Sequence, residues 1–283
     1  MTRSVLLLGG PDSGKTNYIG RVWTALDNGS GKLRAARQPS DLRFVLDVAE
    51  HLFSGNFAPR SEHADGRRDF EVPVTESQGG EEITILIPDM SGELWQNAVQ
   101  DCEVSVELME EMRRSDGALL FVRLGSDQTV RPLDWVSSQK LMSKIGEATD
   151  DGLPTQVVLC ELIRFLELTL AQRPDGTRPR VSVVLSAWDL ADSQCFENGP
   201  VAYLEKEYPF VAGRLRDLES LDVKVFGLSV VGGDLKIDTD FRDDFLESDI
   251  DSHGWVAVQD RSGTWYRDND LTLPMAWVVG SQS

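Results

Sequence analysis

Basic residues are in short supply: 28 Lys and Arg stand against 47 Asp and Glu, a formal net charge of -19. A sequence-independent grip on DNA or RNA needs Lys and Arg to neutralise phosphates, so no direct nucleic-acid partner is expected. The plain use of such acidity is solubility. Cysteine is scarcer still. Cys102, Cys160 and Cys195 are odd in number, far apart and in no metal-ligand spacing, which argues against a disulfide framework or a cysteine metal site. Long apolar runs are missing as well: no stretch reaches the roughly 18 residues that a membrane span needs. The opening MTRSVLLLGG holds too short an apolar run for a signal peptide, and a cytoplasmic chain is expected.

What is present is a sizeable apolar fraction, 41% of 283 residues, and one stretch that organises the rest. Gly9–Thr16 (GGPDSGKT) follows the apolar run Val5–Leu8 and fits the phosphate-binding loop: Gly, four residues, then Gly-Lys-Ser/Thr. Glycines let the backbone bend tightly and turn its N–H groups inward at an anion. Lys15 reaches the β- and γ-phosphates in this pattern, and the Thr16 hydroxyl binds Mg²⁺. The segment from Gly14 to about Asp27 reads as a helix, so its positive N-terminal end faces the same phosphates. The glycine-rich Gly29–Lys32 is a decoy, because Leu33 stands where Ser or Thr is needed and no strand precedes it.

The remaining chain alternates strands with helices. Ser4–Leu8 is expected as a buried strand, Ser40–Phe53 as a helix, and Asp69–Thr75 and Glu82–Pro88 as an antiparallel pair, with Pro73 suggesting an edge. One long amphipathic helix is expected from Leu94 to about Ser115. Buried strands are expected at Gly117–Leu124, Arg180–Ser186 and Val223–Val231, with helices at Thr155–Gln172 and Val201–Leu218. The pattern predicts an α/β fold: a single three-layer domain over residues 1–283, with a mostly parallel central sheet flanked by helices. It carries an insertion at roughly 125–178, an acidic insertion at roughly 234–270, whose Asp234–Ser252 stretch is expected to be solvated rather than a binding site, and an apolar segment, Leu271–Val279, that packs back on the body.

Two further motifs end apolar strands. Asp89-Met90-Ser91-Gly92 reads as Asp-x-x-Gly; in a nucleotide switch the Asp holds Mg²⁺ and the Gly N–H meets the γ-phosphate. Alone the pattern is common in turns, and it gains meaning from its place after a strand downstream of the phosphate loop. Ser186-Ala187-Trp188-Asp189 ends the strand Arg180–Ser186. A carboxylate there can accept both the N1–H and the 2-amino group of guanine, an edge adenine does not offer; an Asp that merely caps the strand end is the alternative.

With the three motifs in order, the chain resembles a P-loop GTPase of the translation-factor-related (TRAFAC) class. Its loop PDSGKT is similar to those of Arf-like and signal-recognition-particle-receptor β GTPases. SGNFAPRSE and LTLPMAW resemble bacterial double-GTPase domains, which are encoded in multi-gene cassettes suspected of roles in phage defence. The resemblance implies a GTP-binding molecular switch that hydrolyses GTP with Mg²⁺. It implies partners among other proteins of the same cassette, a second GTPase included.

Carried onto this sequence, the resemblance puts phosphate binding on Gly9, Asp12, Ser13, Gly14, Lys15, Thr16 and Asn17, with Gly92 in the second switch. Thr16, Ser61 and Asp89 would hold Mg²⁺, with Thr75 as the second choice for the first-switch hydroxyl. Asp189 would read guanine, and Ser229 would offer a backbone contact to the base. Lys15 and Glu93 take the catalytic positions. Three departures restrain that picture. Asn-Lys-x-Asp is replaced by Ser186, Ala187, Trp188 and Asp189, so the lysine stem that packs over the base is absent, and Trp188 could cover the base or belong to the core. Glu93 stands where many GTPases keep a water-orienting Gln, and Pro11 removes one loop donor. Slow turnover without a partner is therefore expected, and Arg60, Arg67 and Arg68 are either solvated or cis charge donors. Two other readings remain: an ATP-binding P-loop ATPase or kinase in which Asp189 is structural, or a degenerate GTPase fold acting as a nucleotide-binding scaffold.

Overall fold

A computed structural model describes residues 2–39, 42–58, 68–76, 81–89, 95, 98–99, 103–130 and 153–280. In chain order the elements are β1 (Thr2–Leu8), α1 (Lys15–Asn28), β2 (Arg34–Ala35), α2 (Arg43–Phe53), β3 (Arg68–Thr75) and β4 (Ile83–Asp89). Then come α3 (Val106–Arg114), β5 (Gly117–Arg123), α4 (Thr155–Thr169), β6 (Arg180–Ser186), α5 (Ser193–Glu207), α6 (Pro209–Arg216) and β7 (Asp222–Ser229). The chain closes with α7 (Thr239–Glu247), β8 (Trp255–Gln259), β9 (Trp265–Asp268) and α8 (Leu273–Val279).

The strands form one nine-stranded sheet in the order β2-β3-β4-β1-β5-β6-β7-β8-β9. Its middle, β4-β1-β5-β6-β7, is parallel, and antiparallel strands close both sides. From β1 the next parallel strands lie in opposite directions, β4 on one side and β5 on the other. That divergence opens a crevice at the carboxyl end of β1, which is where the phosphate loop begins.

The central strands β1, β5 and β6 are buried almost end to end because both their faces are covered. Val5 and Leu7 join one cluster with Tyr18, Ile19 and Val22 of α1 and Met275, Ala276 and Val279 of α8. Leu6 and Leu8, pointing the other way, join Leu108 and Met112 of α3, Leu162 and Leu166 of α4 and Val211 of α6. Helix, sheet, helix: three layers, as the sequence pattern predicts. The carbonyl end of α8 is tied down from the sheet, since Arg180 donates to Trp277 O and Gly280 O at 2.8 Å each and Arg173 donates to Gly280 O at 2.6 Å. No helix among the described residues is long and apolar enough to cross a membrane.

Several boundaries differ from the sequence reading. The expected long helix ending near Ser115 is broken: Glu103–Ser105 leave the helical path, and the Ser105 hydroxyl accepts the Leu108 N–H to start α3 afresh. Val201–Leu218 is two helices separated at Tyr208–Pro209, and α5 is kinked at Gly199 (φ 83°) before Pro200. A Cβ on Gly199 would lie 2.2 Å from the Trp265 indole, so this kink requires glycine. The acidic 234–270 stretch supplies α7 and the β8–β9 hairpin that extends the sheet, elements the sequence reading did not assign. Its aspartates work locally, Asp238 accepting the Phe241 N–H as the N-cap of α7. Pro73 lies in β3, whose outer side is covered only by the two-residue β2. The decoy Gly29–Lys32 is a loop, with Gly29 ending α1 at φ 66°.

Candidate functional site

The loop after β1 is shaped by steric necessity. Gly9 has φ 145°, and a Cβ there would stand 2.6 Å from Phe121 O and 2.8 Å from Ser13 Oγ. Gly14 has φ 89° and forms the N-cap of α1, so the first N–H groups of the helix point into the loop. Asp12 also sits in the left-handed region, at φ 58°. Lys15 bends back over the loop, donating to Gly9 O at 2.8 Å, Gly10 O at 3.0 Å and Ser13 Oγ at 3.1 Å. The loop thus brings the Lys15 ammonium and the N-terminus of α1 together, a combination suited to an anion. Thr16 lies in the first turn of α1, and the next residue, Asn17, accepts the Ala58 N–H at 3.0 Å. That bond joins the phosphate-loop helix to the start of the segment expected to carry the first switch.

β4 runs parallel to β1 and ends at Asp89, so this residue reaches the same edge of the sheet as the phosphate loop. Ser61, Gly92 and Glu93 lie outside the described residues, as do Arg60 and Arg67. Thr75, the second choice for a first-switch hydroxyl, is at the wrong edge. β3 pairs Arg68 with Asp89 and Val74 with Ile83, which puts Thr75 about 20 Å from the site edge at roughly 3.3 Å per residue.

The third motif closes the cleft. β6 delivers Ser186, whose buried hydroxyl donates to Ser13 O at 2.7 Å and fastens this strand end to the phosphate loop. Ala187 turns the chain in the left-handed region at φ 54°. Trp188 is core: it is fully buried and stacks edge-on against Tyr203 with centroids 5.5 Å apart. Gly227 makes room for it, since a Cβ there would be 2.7 Å from the indole. Asp189 then faces the cleft, and the Ser229 hydroxyl at the end of β7 donates to its Oδ1 at 2.5 Å. Ser229 Oγ in turn accepts the Gly232 N–H at 2.9 Å. Where the resemblance implies a backbone role for Ser229, the structure commits its side chain to orienting Asp189.

Gly14, Asn17, Asp189 and Ser229 share one cleft, and the sequence reading missed several of its other lining residues, Phe57, Arg123 and Val230 among them. Arg123 had a legible signal, a charge ending an otherwise apolar buried strand. Phe57 had none, lying in a polar loop. Arg21 was also missed. This residue of α1 is 2% exposed; it donates to Val230 O at 2.9 Å, Ile250 O at 3.0 Å and His253 O at 2.7 Å. It thereby clamps the loop after β7, which lines the cleft together with Asp189, to the phosphate-loop helix.

A phosphate loop at the point where the strand order diverges, with a seated carboxylate two strands away, defines a P-loop nucleotide-binding protein of the α/β class. The sequence matches the family model described as Double-GTPase 1 over residues 6–278, so the chain belongs to the Double-GTPase 1 family. It is accordingly a GTP-binding P-loop protein. No curated protein matches it significantly. Among solved structures, a chain of the signal recognition particle receptor SRb-GTP/SRX complex from Chaetomium thermophilum aligns at 13% identity and a TM-score of 0.40. That alignment covers 86% of this chain and 96% of the other.

Proposed function

We propose that the protein is a GTP-hydrolysing molecular switch whose turnover is slow without a partner. The observation that carries this is the nearness of two devices: the Lys15 ammonium over the phosphate loop, and Asp189, held by Ser229, in the cleft that Gly14 of the same loop lines. The loop N–H groups from Gly9 to Asn17 and Lys15 bind the phosphates, and Asp189 takes the guanine edge. Water attacks the γ-phosphorus in line as the bond to the β-γ bridging oxygen breaks, leaving GDP and phosphate.

Mg²⁺ suits the donors assigned to it. Thr16, Asp89 and Ser61 offer hard oxygen ligands, and the topology brings the start of α1 and the end of β4 to one edge. When bound, Mg²⁺ neutralises charge on the β- and γ-phosphates. Glu93 occupies the water-orienting position, where a carboxylate beside the γ-phosphate is repelled; this supports slow intrinsic turnover. Loss of the γ-phosphate releases the segments around Ser61 and Gly92 and changes the surface shown to partners. The reading extends, on the resemblance to bacterial double-GTPase domains, to a bacterial, cytoplasmic protein working with products of neighbouring genes, a second GTPase among them.

A single-turnover assay with radiolabelled GTP and Mg²⁺ tests hydrolysis. Slow phosphate release that disappears in Lys15→Ala is expected. Release under no condition, with or without the neighbouring gene products, would instead favour a nucleotide-binding scaffold, a reading that Ala187 at the usual lysine position supports.

A further inference from the structure

Ala187 puts only a methyl group beside the cleft, yet the cleft does not lack a cation. Arg123 ends β5, and the β5–β6 register sets it directly opposite Ser186, the residue before Ala187. Its side chain is one-third exposed and lines the same cleft as Gly14, Asp189 and Ser229. Among the described lining residues it is the one cationic side chain, and the only planar groups beside it are Phe57 and the carboxylates and amide of the rim. Arg123 Nε stands 4.0 Å from Asp12 Oδ2, a residue of the phosphate loop.

A guanidinium is planar, weakly hydrated and always charged, and it stacks on aromatic faces more readily than an ammonium does. Asp189 can satisfy the edge of a purine but offers nothing to its face. We propose that Arg123 is a nucleotide-binding residue whose stem and guanidinium cover one face of the bound purine while Asp189 reads the edge. The cover comes from the neighbouring strand, in place of a side chain at Ala187. This rests on the guanine-nucleotide reading of the cleft.

Calorimetric titration with GDP and IDP tests it on the wild-type protein and on Arg123→Ala and the double variant Arg123→Ala/Ala187→Lys. Arg123→Ala is expected to weaken GDP and IDP alike by about tenfold, because IDP lacks only the 2-amino group assigned to Asp189. Ala187→Lys in the Arg123→Ala background is expected to regain most of the loss. Thermal unfolding of each nucleotide-free variant separates binding from folding. GDP affinity of Arg123→Ala within twofold of wild type overturns the proposal. So does a double variant that regains none of the loss, which makes Arg123 a brace for the loop. Wild-type protein that binds neither nucleotide refutes the cleft assignment itself, a different failure.

Discussion

At the residue scale the site is a set of side chains whose neighbours leave them little choice. Gly9 cannot carry a Cβ without striking Phe121 O at 2.6 Å, so Gly9→Ala should lower stability by at least about 2 kcal/mol in chemical denaturation. Lys15→Ala should reduce affinity for a GTP analogue at least a hundredfold while leaving the circular dichroism spectrum intact; unchanged affinity in calorimetry would remove the phosphate assignment. Ser229 acts one step back, because its hydroxyl holds Asp189, the carboxylate proposed to read the base. A hydrogen bond to a charged group is worth about 1.5–3 kcal/mol, so Ser229→Ala should weaken GDP binding about tenfold and Ser229→Thr much less. The glycines, Lys15 and Asp189 were legible in the sequence because each occupies a fixed offset in a motif. The Ser229 hydroxyl's role was not, since a 40-residue separation from Asp189 carries no local pattern.

At the element scale, two features set how the cleft keeps its shape. Arg21 joins α1 to the loop after β7 and to the turn at Ile250–His253 through three carbonyl contacts. Truncating it orphans those acceptors in a buried place, so Arg21→Ala should cost about 2–4 kcal/mol in urea unfolding. Arg21→Lys should recover little, because an ammonium cannot span three separated carbonyls. The β8–β9 hairpin turns on Asp260, whose carboxylate accepts N–H groups of Ser262 and Thr264 and the Ser262 hydroxyl. These bonds hold its pKa below the ordinary carboxylate range. The folded pKa is depressed, so the turn's contribution is present above the unfolded value near 3.9 and is lost as pH falls through the folded one. Amide protection factors in Trp255–Asp268, which correct for intrinsic exchange, should therefore fall at low pH in the wild type. The same amides should already exchange faster at neutral pH in Asp260→Ala; equal protection in the two proteins would contradict this role. This hairpin was hidden in the sequence by its acidic surroundings, where charge density suggested solvent and the alternation in WVAVQ was too short to compete. The break at Glu103–Ser105 was hidden for the opposite reason: apolar spacing carried on across it.

At the scale of the whole molecule, the strand–helix alternation was legible because strands buried on both faces read as unbroken apolar runs, in β1, β5 and β6 above all. Their order was not legible. It is the parallel placement of β4 and β5 on either side of β1 that puts a phosphate loop, the end of β4 and Asp189 on one edge, although they lie far apart in sequence. The acidic surface, with a net charge of -19, fits a protein that binds a phosphorylated ligand only where backbone dipoles and Lys15 are focused locally. A ligand that binds the folded state alone should stabilise it by about 2.7 kcal/mol at a hundred times its Kd, so GDP should raise the melting temperature by several degrees.

Guanine selectivity is where the account is most exposed, because Asp189 stands without the usual lysine beside it. Competition of GTP against ATP for the nucleotide-loaded protein, run on the wild type and on Asp189→Asn, measures it directly. The account predicts that GTP displaces bound nucleotide at least a hundredfold more effectively than ATP in the wild type, and that most of this advantage disappears in Asp189→Asn. ATP competing as well as GTP in the wild type would contradict it.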